Sequence, residues 1–166
     1  MPLPGYTLSY FSKKTEDRLK VLKAKQKANT LKLVNMELKM LQRAIESYYR
    51  HNKNYPKDGG KKMPSLYQNQ LMKAEPQYIY RIMHDYFETK TLADRNDFSK
   101  LYKYKIVKDK DQKEYYIVWS NGEDGKKDWT WNNREGKVVI ASGKDDIIRT
   151  NAKFIPNNSS MTPKEN

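Results

Sequence analysis

Leu31, Val34, Leu38, Leu41, Ile45 and Tyr48 recur at alternating spacings of three and four, which is the period of one apolar stripe along a helix. Leu33, Met36, Met40 and Ala44 widen the stripe enough for packing on a sheet. Upstream, Leu19, Leu22, Ala24 and Ala28 continue it more weakly among lysines. Thr15 suits the N-cap, with Glu16 and Asp17 in the electropositive first turn. His51-Asn52-Lys53-Asn54 before Pro56 reads as the stop, because proline disfavours helix in the residue before it. The pattern predicts one long helix over 15–53, rising about 1.5 Å per residue. Its first half carries too little apolar surface to be buried alone and is expected to project.

Beyond the Gly59-Gly60 turn, Pro64 suits a first helical position, with Leu66, Leu71 and Met72 forming a short second helix. Ile79, Ile82, Met83 and Tyr86 follow the i, i+3, i+4, i+7 rule and predict a third, so that small helices fill 64–90. After Asp97 the period drops to two. Tyr102, Tyr104 and Ile106 alternate with lysines, and Tyr115-Tyr116-Ile117-Val118-Trp119 is strongly strand-like, with hairpin composition at Asp109–Gln112 between them. Trp129-Thr130-Trp131 and Val138–Ala141, joined by Asn132–Gly136, predict a second hairpin.

The expected architecture is α+β: a long N-terminal helix laid across one small antiparallel sheet over 101–142, with two short helices between. Residues 1–14 are expected to be an irregular leader, 143–151 an Asp-rich closing loop, and 156–166 a disordered tail.

Composition narrows the function classes. Thirteen Tyr, three Trp and four Phe among 166 residues supply a modest core, whereas 37% hydrophobic and 32% charged residues argue against a large enzyme-type interior. There is no Cys, which excludes disulfides, thiolate ligands and a cysteine nucleophile. The longest purely apolar run is about four residues, too short for a membrane span or secretory core, so the chain as given is expected to be soluble. The net charge is +13, and residues 13–62 supply most of it with 15 Lys/Arg against 5 Asp/Glu. Such a gradient fits a polyanion, an anionic membrane face or an acidic neighbouring subunit.

The densest chemistry lies in two Gly- and Asp-bearing turns, Ser120-Asn121-Gly122-Glu123-Asp124-Gly125 and Gly143-Lys144-Asp145-Asp146. Calcium takes six to eight hard oxygens from carboxylates and turn carbonyls. Asp124, Asp145 and Asp146 supply carboxylates here, and Asn121 a carbonyl; the alternative is two solvated turns without an ion. His84 and Glu88, one helical turn apart if helical, offer only two ligands for a transition metal. Tyr102-Lys103-Tyr104-Lys105 suits a stacking platform for single-stranded nucleic acid, or a half-buried strand with solvated lysines. No hydrolase, P-loop or dinucleotide signature occurs, and no catalytic constellation is visible.

The helix end Tyr48-Tyr49-Arg50-His51-Asn52-Lys53-Asn54-Tyr55-Pro56, the Tyr-rich strands, Tyr116-Ile117-Val118-Trp119-Ser120-Asn121-Gly122-Glu123-Asp124-Gly125 and Asp145-Asp146-Ile147 occur in this order. Together they resemble the major pseudopilin of bacterial type II secretion systems, over roughly residues 30–150. In that family the helix ends "Y…N…YP", a strand runs into a "GADG" turn, and "DDI" closes the domain. The resemblance implies a non-catalytic filament subunit on the periplasmic side of the inner membrane, one that assembles with other pseudopilin subunits as a homo-oligomer. It also implies one calcium ion held by Asp124, Asp145 and Asp146 with the Asn121 carbonyl.

Three features depart from the family pattern. Asn96-Asp97-Phe98 lacks the Pro and Trp of the family's turn. Gly5-Tyr6-Thr7-Leu8-Ser9-Tyr10 echoes the family's "GFTLIE" without the Glu or the apolar anchor that follows it, so membrane attachment would come from an anchor missing here. Lys126–Ser142, with Trp129 and Trp131, lengthens the stretch between the two ligand-bearing turns. The rival reading is a basic nucleic-acid-binding module, for example a pilin-like DNA-uptake component.

Overall fold

The computed structural model describes residues 8–141 and 145–156, with side chains described from Ser12 to Ala141 and from Asp145 to Lys153. Helix α1 runs Leu8–Asn52, followed by α2 (Leu66–Lys73), single-turn 3-10 helices at Ala93–Asn96 and Phe98–Lys100, and strands β1 (Lys103–Lys108), β2 (Glu114–Ser120), β3 (Trp129–Asn132), β4 (Lys137–Ile140), β5 (Ile147–Thr150) and β6 (Lys153–Pro156). The chain is thus α+β, with a long N-terminal helix and a small antiparallel sheet. Residues up to Leu33 and those from Val34 onward form separate units.

In the first unit α1 begins at Leu8, seven residues before Thr15, so much of the expected leader is helical. Pro4 and Gly5 lie upstream, and nothing between Leu8 and Thr15 breaks a helix. Thr15 is therefore an interior position, and residues 1–7 lie outside the described part. The end of α1 falls where the sequence places it. Asn52 Nδ2 donates to the Tyr48 carbonyl at 3.0 Å, the Lys53 amide reaches the Tyr49 carbonyl at 2.8 Å, and Lys53 takes a φ of 59°.

In the second unit, Val34, Leu38, Leu41 and Ile45 of α1 are fully buried against Tyr104, Tyr116 and Val118 of β1 and β2. Leu33, Met36 and Met40, expected to widen this stripe, are exposed instead. Three of the tyrosines that fill the layer keep their hydroxyls bonded: Tyr67 to the Tyr102 carbonyl at 2.8 Å, Tyr104 to the Pro56 carbonyl at 2.9 Å, and Tyr116 to Glu46 Oε1 at 2.7 Å. A buried hydroxyl without such a partner would be destabilising.

Two sheets stand where one was expected. The first has strand order β1-β2-β5, all antiparallel; the second has order β3-β4-β6, with β4 and β6 parallel. The physical reason lies in β2, whose residues 116–120 are all buried. Tyr116 and Val118 face the α1 layer, while Ile117 and Trp119 need cover on the opposite face. Trp129 and Val138 of the second sheet supply it, with the Trp119 and Trp129 rings edge-on at 4.8 Å. The expected closing loop over 143–151 is largely strand β5, and residues 142–144 are not described. The expected tail over 156–166 overlaps β6 at Pro156, and residues 157–166 lie outside the described part.

The third short helix is absent: Ile79–Tyr86 is irregular. Two of its apolar residues are nevertheless buried, Ile79 at 3% and Met83 at 1% exposure, while Ile82 is half-buried and Tyr86 exposed. The side chain of Gln68, from α2, takes the place of helical hydrogen bonds. Its Nε2 donates to the Met83 carbonyl at 2.9 Å and its Oε1 accepts from the Met83 amide at 2.6 Å. Pro64 lies in the turn before α2, whose N-cap is Ser65.

Asp85 is fully buried beside this segment, its carboxylate accepting from the Phe87 amide at 3.0 Å. Burial pushes its pKa up to about 6, against the pull of Ser120 and that amide. A raised carboxylate pKa means that the folded state holds a proton the unfolded chain has released. The stabilisation it gives is complete below the ordinary value near 4 and is lost as pH rises through about 6.

Two outcomes are expected. Leu41→Ala should cost about 2–5 kcal/mol in urea unfolding, and Met40→Ala, on the exposed face, less than about 0.5 kcal/mol. Asp85→Asn should gain on the native chain by on the order of 1–3 kcal/mol between pH 4.5 and 7.5, and a pH-independent difference would disprove the buried-acid account.

Candidate metal centre

The register of β2 with β5 builds the site. Ser120 pairs with Ile147, so the turn that leaves β2 lies beside the residues that enter β5. Gly122 takes a φ of +64°, and a Cβ there would sit 2.6 Å from the Asp145 carboxyl carbon and carbonyl oxygen. Only glycine satisfies both the left-handed backbone and this approach. The Gly122 amide donates to Ser120 Oγ at 3.1 Å, and the Glu123 amide to Asp145 Oδ2 at 2.6 Å. Asp124 Oδ1 accepts from the Lys126 amide at 2.8 Å.

Two of the three expected carboxylates meet here, together with one that sequence reasoning passed over. Asp124, Asp128 and Asp145 each offer an oxygen, and the three oxygens lie within 4.8 Å of one another. Asp128 is half-buried and the other two are exposed. The cluster can therefore hold a metal ion: two oxygens on one calcium at 2.3–2.6 Å are separated by at most about 5 Å. Three carboxylates without His or Cys form a hard donor set, suited to calcium, magnesium or manganese rather than zinc or copper.

Asp146, expected as a ligand, lies outside that group. Its side chain is 9% exposed, and its Oδ2 accepts from the Asp128 amide at 2.7 Å. Burial raises its pKa to about 6; that amide pulls it down, and the charges of Asp128, Asp145 and Asp124 add to the rise. Its Oδ1 is buried without a hydrogen-bond partner among the described residues. Asp146 thus supports the cluster by fixing the chain at Asp128. The Asn121 side chain is a brace: its Oδ1 accepts from Trp119 Nε1 at 2.7 Å, and its Nδ2 lies 3.4 Å from the Gly125 carbonyl; these bonds do not involve its backbone carbonyl, the expected ligand. The signal for Asp128 was its place four residues after Asp124, directly before the Trp129 strand. The lengthened segment 126–142 supplies this carboxylate.

The weaker candidates change character. His84 and Glu88 do not share a helix face; His84 bridges to Leu101, and Glu88 pairs with Lys103 at 3.1 Å. Tyr102 and Tyr104 point inward at 1% and 9% exposure, so they form no platform for bases. No described helix is long and apolar enough to cross a membrane. No protein-family model, curated protein or solved structure matches the chain.

Substituting the two turn glycines separates contact from backbone strain. Gly122→Ala should destabilise by about 1–3 kcal/mol and disperse the carboxylates. Gly125→Ala, with a φ of +69° but open space around it, should cost only about 1 kcal/mol. Equal losses in thermal unfolding would show that the Gly122–Asp145 approach carries no weight.

Proposed function

We propose that this chain is a non-catalytic, pilin-like assembly subunit of pseudopilus type, in which calcium clamps the loops at one rim of the two sheets. The observation that carries the reading is the convergence of Asp124 and Asp145, with Asp128, to within 4.8 Å. The long helix with its apolar stripe against an antiparallel sheet adds support, as do the sequence resemblances over roughly 30–150. In this reading the protein works among other pseudopilin subunits on the periplasmic side of a bacterial inner membrane. Assembly is its only work.

Calcium is preferred over magnesium because the ligands come from three separate stretches of chain. Such a set tolerates calcium's larger and irregular shell better than magnesium's strict octahedron. Backbone amides of Glu123 and Lys126 already satisfy part of the Asp145 and Asp124 carboxylates, leaving the remaining oxygens for an ion. An ion bound only by the folded state ties β2, the lead-in to β3 and the lead-in to β5 together. It stabilises them by about 2.7 kcal/mol at a hundredfold excess over Kd. A nucleic-acid role would rest on the basic helix alone, since the tyrosines for stacking are buried.

Calcium in the millimolar range should raise the melting temperature by about 5–10 °C over the chelated protein. Asp128→Ala, like Asp124→Ala and Asp145→Ala, should abolish that rise while leaving the chelated protein folded. A melting curve indifferent to calcium and chelator would remove the metal. If calcium binds but purified subunits never form filaments in any ion condition, the pilin-like role fails and the site survives.

A further inference from the structure

We propose that α1 from Ser12 to Leu33 is a docking seam for an amphipathic helix of a different chain, one flanked by acidic residues. The inference stands on this helix segment alone and is independent of the pilin-like reading.

Leu19, Gln26 and Leu33 are spaced by seven, as are Thr15, Leu22 and Asn29, and the two series interleave at steps of three and four. That is a 3.5-residue repeat, which keeps one straight seam toward a partner helix. The leucines are exposed, Leu19 at 50%, Leu22 at 62% and Leu33 at 39%. No residue between Ser12 and Leu33 is buried. A helix with an apolar repeat normally owes much of its stability to packing of that face.

Charge identifies the partner. The positions beside the seam are Arg18, Lys25 and Lys32 on one edge, and Glu16, Lys23 and Thr30 on the other. Glu16 is already engaged with Lys20 at 3.2 Å. Over Ser12–Leu33 the chain carries eight Lys/Arg and two Asp/Glu, a balance of +6. A second copy docked in parallel would set Arg18 against Lys23; docked antiparallel, it would set Arg18, Lys25 and Lys32 against one another. Both arrangements repel, so charge selects against self-pairing. A helix with Glu or Asp on its flanks turns each of these contacts favourable.

The leucines decide against a plain polyanion site, because a nucleic acid would engage the lysines and leave the seam in water. They also decide against a lipid surface, since three leucines interrupted by Gln26 and Asn29 embed too little apolar area. In a helix pair the same two polar residues fix register, since each must meet a polar partner.

The test uses the full chain and two synthetic three-heptad peptides with identical leucine seams, one with Glu and one with Lys at every flanking position. In fluorescence anisotropy at low salt, the Glu peptide should bind at least tenfold more tightly than the Lys peptide, and that preference should shrink at 0.5 M salt. The L19S/L22S double variant should lose at least tenfold in affinity for the Glu peptide with an unchanged melting curve. Lys25→Glu with Lys32→Glu should erase or reverse the peptide preference. Equal binding of both peptides, or binding of neither, overturns the inference. So does dimerisation of the chain at micromolar concentration that L19S/L22S abolishes, which would make the occupant a second copy. Binding of a DNA duplex or phosphatidylserine vesicles that blocks the Glu peptide and is unaffected by L19S/L22S also overturns it, by reducing the segment to a charge patch.

Discussion

Burial of β2 on both faces is the constraint from which the rest follows. A strand with Tyr116 and Val118 on one side and Ile117 and Trp119 on the other cannot lie at a protein surface. It must be covered twice, once by the apolar side of α1 and once by Trp129 and Val138 of the second sheet. With both faces committed, its register is fixed, because a slip of one residue would exchange the two sets of side chains. The pairing of Ser120 with Ile147 follows, and with it the placement of Asp145 against Gly122. The carboxylate cluster is therefore positioned by core packing, and the turn itself only has to be tight enough to allow it.

The same constraint explains why the cluster persists despite its charge. Three carboxylates this close repel one another, and an unsupported loop would splay. Here the Glu123 amide holds Asp145, the Lys126 amide holds Asp124, and the buried Asp146 holds the Asp128 amide. Each bond anchors one of the three converging stretches, so the repulsion is stored in place of being relieved by motion. A bound cation would convert that repulsion into attraction, which is why loop order and ion binding belong to one equilibrium.

What the sequence made legible, and what it hid, divides along local and non-local interactions. The α1 stripe from Val34 to Ile45 was readable because its period depends on nothing outside the helix, and the two hairpins because each joins neighbours in the chain. Ile79–Tyr86 misled because its spacing is helical while its backbone is claimed by Gln68, a side chain from another element. The second sheet was hidden because its β4–β6 pairing is parallel and joins strands separated by β5. Within the site, Asp124 and Asp145 were marked by their Gly-bearing turns. Asp146 falls outside the group because its Oδ2 is taken by the Asp128 amide, a contact between stretches 18 residues apart that local sequence does not mark. Asp128 was marked only by its place four residues after Asp124 and directly before the Trp129 strand, and its role depends on where Trp129 is anchored.

One helix is sustained in two different ways along its length. From Val34 onward its inward face is buried, and exposed positions such as Met36 and Met40 are free to vary. Before Val34 no residue from Ser12 is buried, and the segment relies on good helix formers: Leu, Ala, Lys, Arg and Gln fill most of it. Clustered positive charge opposes that order, because lysines three and four apart repel one another. An acidic partner would relieve the repulsion while covering the leucines, so the two unfavourable features of the segment, exposed apolar side chains and crowded charge, have a common remedy. Neither a hydrophobic surface nor a polyanion removes both.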